Sequence, residues 1–177
     1  MIRDFLDLSL KGKKEAVIYF SDKYKGLSKE DLFVVDVSKN KEEIRKINSY
    51  NCYIAAKVSS LKDVFFCLDK KFDFIINPFE YNKLFFDNST ITMMKQAKIY
   101  PLIFMSDYLK LSKGQQIGFL KNAFLLIKLA KKQSLPVFIS SGAKIEKEII
   151  PNNQYLYPLF NFNLEQVDNF FEILSRK

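Results

Sequence analysis

The residues whose types and spacing come nearest to a working site are Ser140, Ser141, Gly142, Ala143 and Lys144. Two hydroxyls, a run of backbone amides and a lysine at the end of an apolar stretch can hold a phosphate, because successive N–H groups aimed at one point make an anion-binding concavity. Gly142 allows the chain to turn sharply and approach another group closely. The plainer account is a strand-to-helix turn with serine as the helix cap, since Ser-Gly is a common turn pair. Spacing alone leaves both open. A second group is acidic. Asp4, Asp7, Asp36 and Asp73 fall on or near expected strands, and carboxylates gathered at strand ends can bind magnesium. Each can equally cap a turn or pair with a lysine.

A third group is basic. Lys121, Lys128 and Lys132 share one face of an expected long helix. Such a stripe can track phosphates or simply face solvent. Lys11, Lys13 and Lys14 cluster early, Lys70 and Lys71 precede an expected strand, and Lys144 follows the Ser-Ser-Gly-Ala turn. Among 18 Phe and 9 Tyr, Phe79, Tyr81, Tyr155 and Tyr157 sit in loop-like stretches where a base could stack.

The residues that are missing narrow the chemistry. The 177-residue chain contains no His, which removes Ser-His-Asp and Cys-His catalysis and every imidazole metal set. Cys52 and Cys67 stand far apart in apolar segments, so they read as buried thiols rather than a disulfide framework. The net charge of +8 points to an anionic partner such as nucleic acid. Only three basic residues are Arg (Arg3, Arg45 and Arg176), the rest being Lys, so a Lys-rich composition contributes to that charge. No apolar run reaches the ~20 residues of a membrane span, and MIRDFLDLSL lacks a signal-peptide layout. A cytoplasmic protein without membrane contact is expected.

The elements that must position these groups follow from period and punctuation. Residues 4–10 alternate as a strand, and Lys13 to Tyr24 reads as a helix with Ala16, Val17, Phe20 and Tyr24 near one face. Leu32 to Val37 is a second strand, Lys41 to Tyr50 a helix after Asn40, and Cys52 to Val58 a third strand. Ser60 caps a helix from Leu61 to Lys70, and Phe72 to Ile76 is a strand stopped by Asn77 and Pro78. Pro78 to Phe86 lacks a clean period and reads as an active-face loop with partial helix. A helix opens at Asp87 or Ser89 and runs to about Lys98, followed by a strand from Ile99 to Met105 that Pro101 makes late or irregular. Ser112 and Gln115 form a capping-box pattern opening the longest helix, Lys113 to Gln133, with Ile117, Leu120, Phe124 and Ile127 as its core stripe. A short strand from Pro136 to Ile139 leads into the serines, and a last helix spans Leu164 to Ser175.

About six β-α units predict an α/β fold with a parallel sheet, in a single domain over residues 1–177. An open doubly wound sheet and a small or distorted TIM-barrel-like arrangement compete. The chain is short for an eight-unit barrel, and no glycine-rich dinucleotide or P-loop follows the first strand.

Several stretches resemble one family. VFISSGA, Val137 to Ala143, is similar to the strand and Ser-Ser-Gly-Ala of protein component 3 of archaeal ribonuclease P, related to the thirty-kilodalton subunit of the eukaryotic enzyme. DFLDLSL with Asp7 and Leu8, KFDFIIN from Lys71 to Asn77, DNSTITMMKQAKIYPLIFMSDYL, and PLFNFNLEQVDNFF agree in order, so the resemblance covers nearly the whole chain. Ile149 and Ile150 precede Pro151 where the family has an Arg, Lys83 takes the place of another Arg, and the usual Gly is missing around Asn161, Phe162 and Asn163. Lysine keeps the charge of arginine but loses its bidentate fork.

The resemblance implies a TIM-barrel-like fold and a non-catalytic subunit of an endoribonuclease, a hydrolase whose RNA performs the 5′ maturation of precursor tRNA. It implies ribonuclease P RNA, precursor tRNA and a small ribonuclease P protein subunit as partners, with no cofactor, no metal and no catalytic residue in this chain. Lys83, Lys98, Ser140, Ser141, Gly142 and Lys144 are the expected RNA contacts, with Lys121 and Lys128 beside them. The alternative is a small Asp/Mg-dependent phosphoesterase on the same TIM-like barrel.

Overall fold

A computed structural model of the chain describes residues 18–20, 32–39, 44, 52–70, 72–140 and 142. Eight strands and four helices are bounded within them: β1 (Ile18–Phe20), β2 (Leu32–Asp36), β3 (Tyr53–Lys57), α1 (Leu61–Asp69), β4 (Phe74–Ile76), β5 (Phe79–Glu80), β6 (Lys83–Leu84), α2 (Asn88–Ala97), β7 (Tyr100–Phe104), α3 (Met105–Leu109), α4 (Lys113–Lys132) and β8 (Phe138–Ser140). Ile44, within the expected helix at 41–50, is helical.

Six strands form one sheet in the order β1-β2-β3-β4-β7-β8. Every neighbouring pair is parallel. Among the described strands the order never reverses, so this part of the sheet has no topological switch point and is not doubly wound. Right-handed crossovers in such a sheet carry all the connecting helices to one face. The packing agrees. Val64 and Cys67 of α1, Ile91 and Met94 of α2, and Phe119, Ala123, Leu126 and Ala130 of α4 share one core with Phe33, Val35, Ile54, Ala56, Ile75 and Ile103 of the strands.

The alternate strand residues make a second core: Leu32, Val34, Ala55, Phe74, Ile76, Leu102, Phe104 and Phe138. The period of two along each strand sorts side chains to opposite faces. Burial on both faces explains the unbroken apolar runs of LFVV and FII. Aromatic edges meet on the second face. Phe138 lies 5.6 Å from Phe74 and 5.5 Å from Tyr100, both T-shaped, and Tyr53 lies 6.2 Å from Phe74. Burial raises the pKa of the Tyr100 phenol, and the charge of Asp73 adds to the effect. Within the described residues the sheet is open, with β1 and β8 at its edges.

Three expectations are corrected. The segment at 13–24 is not one helix, because Ile18–Phe20 pairs with β2 as a strand. Ile-Tyr-Phe favours a pleated, half-buried surface, and sheet pairing overrides the helical spacing of Ala16, Val17, Phe20 and Tyr24. The stretch after Pro78 is a hairpin, β5 and β6 pairing antiparallel around Tyr81 and Asn82, rather than partial helix. The core stripe of α4 is half misplaced: Phe119, Asn122, Ala123, Leu126 and Ala130 are buried and Leu120 and Ile127 pack against this core, while Ile117 is 71% exposed and Phe124 44%.

Helix starts fall where the caps put them. Ser60 Oγ accepts from the Asp63 amide at 3.2 Å, Asp87 Oδ1 from the Thr90 amide at 2.7 Å, and Gln115 Oε1 reaches back to the Ser112 amide at 3.0 Å. Pro101 causes no defect. Tyr100 N–H donates to Asp73 on the β4 side, so the next nitrogen along faces β8, and the β7–β8 ladder begins one residue later at Leu102 and Phe138. The expected strand at 4–10 and helix at 164–175 lie outside the described residues.

Candidate functional site

In parallel α/β sheets the carboxyl ends of the strands collect functional residues. Here that edge carries Asp36, Lys57, Asn77, Ser106, Asp107 and Ser140. Asn77 ties it together. Its backbone is left-handed, with φ of 39°, a conformation asparagine tolerates better than most residues. The turned side chain lies beside β7: Oδ1 accepts from the Phe104 amide at 3.0 Å, and Nδ2 donates to the Phe104 carbonyl at 3.2 Å and to Asp107 Oδ2 at 2.9 Å. The amide thus continues the β4–β7 ladder after β4 has ended. Asp107 also faces Lys57, Nζ to Oδ1 3.5 Å, linking the end of β3 to the start of α3. Sequence reasoning treated Asn77 only as a strand stop and missed Lys57 and Asp107. The Asn-Pro after an apolar run was the available signal, because a polar residue there must satisfy the backbone it interrupts.

The acids are distributed rather than gathered. Asp36 ends β2. Burial pushes its carboxyl up, but the Ser38 hydroxyl and Lys39 outweigh this and hold it below the usual range. Asp63 behaves alike, with burial opposed by hydrogen bonds from Ser59 and Ser60. Asp73 sits at the other end of the sheet, before β4, where Oδ2 accepts from the Ile54 amide at 2.9 Å. Asp36 and Asp73 are therefore not brought together, and Asp4 and Asp7 lie outside the described residues. Among the described residues, no group of three or more Cys, Asp and Glu is placed to hold a metal ion. Burial raises the pKa of the Cys67 thiol, with Asp63 adding to the effect, so it is a core thiol rather than a nucleophile.

Ser140 is fully buried, and its Oγ accepts from the Gly142 amide at 3.2 Å. Gly142 has φ of +63°, and a Cβ there would come within 2.5 Å of the Phe104 ring. The turn therefore needs glycine for both conformation and space, and its described part packs inward on β7. Ser141 and Lys144 lie outside the described residues.

The lysines occupy three places. Lys98 is the left-handed C-cap of α2, leading into the amino end of β7 and so at the opposite end of the sheet from Ser140. Lys121 and Lys128 stand exposed on α4, on the same outward face as Ile117 and Phe124. Lys83 is exposed on the hairpin, its ammonium 5.5 Å above the Phe85 ring. The hairpin is fastened to α4: Asn122 Nδ2 donates to the Glu80 carbonyl at 2.7 Å, and a Cβ at Gly118 would collide with the Tyr81 carbonyl. Lys83 and the outward lysines of α4 are thus carried by two joined elements, while Lys98 and Ser140 are not part of that surface. Among the described residues, no helix is long and apolar enough to cross a membrane.

No protein-family model matches the chain, and no curated protein matches it. Among solved structures, it is similar to a chain of the cryo-EM structure of archaeal ribonuclease P with mature tRNA. The TM-score is 0.67 at 14% identity, covering 97% of this chain and 84% of that one. The two share a fold.

Proposed function

We propose that this chain is a non-catalytic protein subunit of ribonuclease P, of the protein component 3 family, that supports RNA-catalysed 5′ maturation of precursor tRNA by binding and stabilising the catalytic RNA. The likeness in fold to a chain of archaeal ribonuclease P, over nearly all of this chain, carries the reading. The resemblance of VFISSGA to that family points the same way. The net charge of +8 and the exposed Lys83, Lys121 and Lys128 supply what a folded RNA requires: cations that displace counterions and lower phosphate repulsion. Its partners in this reading are ribonuclease P RNA, precursor tRNA within the complex and a small ribonuclease P protein subunit. The sequential parallel sheet is the wall of a single TIM-barrel-like domain over residues 1–177. Ser141 and Lys144, with Lys98, are secondary candidates for RNA contact, whereas Ser140 and Gly142, expected as contacts from the sequence, are buried and can only shape that turn.

The test is precursor-tRNA cleavage by ribonuclease P RNA at limiting magnesium, with and without this chain and the small subunit. Cleavage is expected to rise only when this chain is present, while the chain alone cleaves nothing. An unchanged rate across all magnesium concentrations overturns the reading.

A further inference from the structure

The β5–β6 hairpin is fixed more firmly than an exposed turn requires. Asn122 is nine-tenths buried, and its amide is used on the Glu80 carbonyl. Gly118 stands inside a 20-residue helix, where glycine costs ~1 kcal/mol relative to alanine, and a side chain there would strike the Tyr81 carbonyl. Both positions hold the turn's backbone from the α4 side. The backbone itself does not dictate the residues at its tip: the described non-glycine residues with positive φ are Asn77, Lys98 and Ser134, so neither Tyr81 nor Asn82 is there for its conformation. Tyr81 is nevertheless large, aromatic and 37% exposed. Lys83 is steadied along the Phe85 ring, and exposed Lys121 adjoins Asn122 in sequence on α4. Glu80, opposite Lys83 in the register, is the carboxylate of the hairpin and limits the local positive charge.

We infer that this turn is a stacking site for an unpaired RNA base, with Tyr81 as the platform and Lys83 and Lys121 meeting the adjacent phosphates. The inference rests on the RNA-binding reading above and specifies the form of RNA that the hairpin takes. An aromatic face beside cations suits single-stranded nucleic acid, since every base has a π-face and every nucleotide a phosphate. A-form duplex hides its base faces and offers shape, 2′-hydroxyls and phosphates instead.

The test uses the full chain with two probes: a short adenine-rich oligoribonucleotide carrying 2-aminopurine, and a blunt RNA duplex of the same length. Binding of the single strand is expected to change the 2-aminopurine fluorescence. Tyr81→Ala should weaken single-strand binding about tenfold, and Tyr81→Phe by no more than about twofold, with duplex binding unchanged in both. Gly118→Val, which displaces the turn by striking the Tyr81 carbonyl while leaving the tyrosine ring chemically unaltered, should reproduce the Tyr81→Ala loss. Circular dichroism checks that each variant remains folded. If Tyr81→Ala binds the single strand as tightly as the unaltered chain, or loses both RNAs equally, the stacking site is wrong while RNA binding stands. Loss of the small protein subunit with RNA binding intact would likewise overturn it, in favour of a protein contact. If the unaltered chain binds neither RNA, the RNA-binding reading fails and this inference with it.

Discussion

Two asparagines hold distant parts of the chain together, and they do so differently. Asn77 uses both ends of its amide on β7 and passes its second proton to Asp107. Asn122 makes one bond, to the Glu80 carbonyl of the hairpin. The first is built into the sheet, where Phe104 on either side of the bond is buried. The second fastens a surface feature whose Glu80 is exposed. Side-chain amides that complete a ladder are part of the fold, whereas those that pin a turn set what the surface presents.

That contrast can be broken by substitution. Asn77→Ala should have the largest effect. It leaves the Phe104 N–H and C=O without their partner and puts alanine at a left-handed position, for a loss of about 3 kcal/mol in urea unfolding. If the variant is as stable as the unaltered chain, Asn77 is a spacer and not a tie. Asn122→Ala should cost about 1 kcal/mol, because water can reach the freed carbonyl. Hydrogen exchange should quicken in the hairpin while β4 and β7 stay protected, and a uniform increase would contradict the separation drawn here. Lys57→Met should matter least. Its ammonium is half exposed, so less than about 0.5 kcal/mol is expected, and the difference should vanish at high salt. A loss as large as that of Asn77→Ala would place Lys57 inside the tie.

Much of this architecture is legible from residue order alone. Ser60 and Asp87 announce helix starts because a side-chain oxygen there satisfies an orphan amide. The strands stand out because apolar runs of four or five fit a sheet covered on both faces. The inward face of α4 was only half legible. Large apolar residues surround that helix, and the largest suggested a stripe at Ile117, Leu120, Phe124 and Ile127. The true contact face includes Asn122, Ala123 and Ala130, with Gly118 beside it under the hairpin. Close approach selects small residues beside Phe119 and Leu126, so of the expected stripe Leu120 and Ile127 pack on the core while Ile117 and Phe124 face outward. The hairpin was hidden for another reason: two-residue strands have no period to read, and the docking of FEYNKL on Gly118 and Asn122 joins residues about forty positions apart. The lysines can be named from the sequence but not placed, since no local pattern says that Lys98 and Ser140 stand at opposite ends of the sheet.

The strand order has a consequence for how the molecule is made. Each strand of the main sheet lies beside the one before it in that sheet, so an emerging segment finds its neighbour already synthesised. Each pairing spans a single crossover, so less loop entropy is lost than in a sheet whose sequential strands skip a neighbour. The described part of the sheet can grow outward from β1 during translation, each new strand pairing with the open edge left by the last. The exposed edge at any moment is then one strand wide, which keeps the nascent chain from offering a broad template for aggregation.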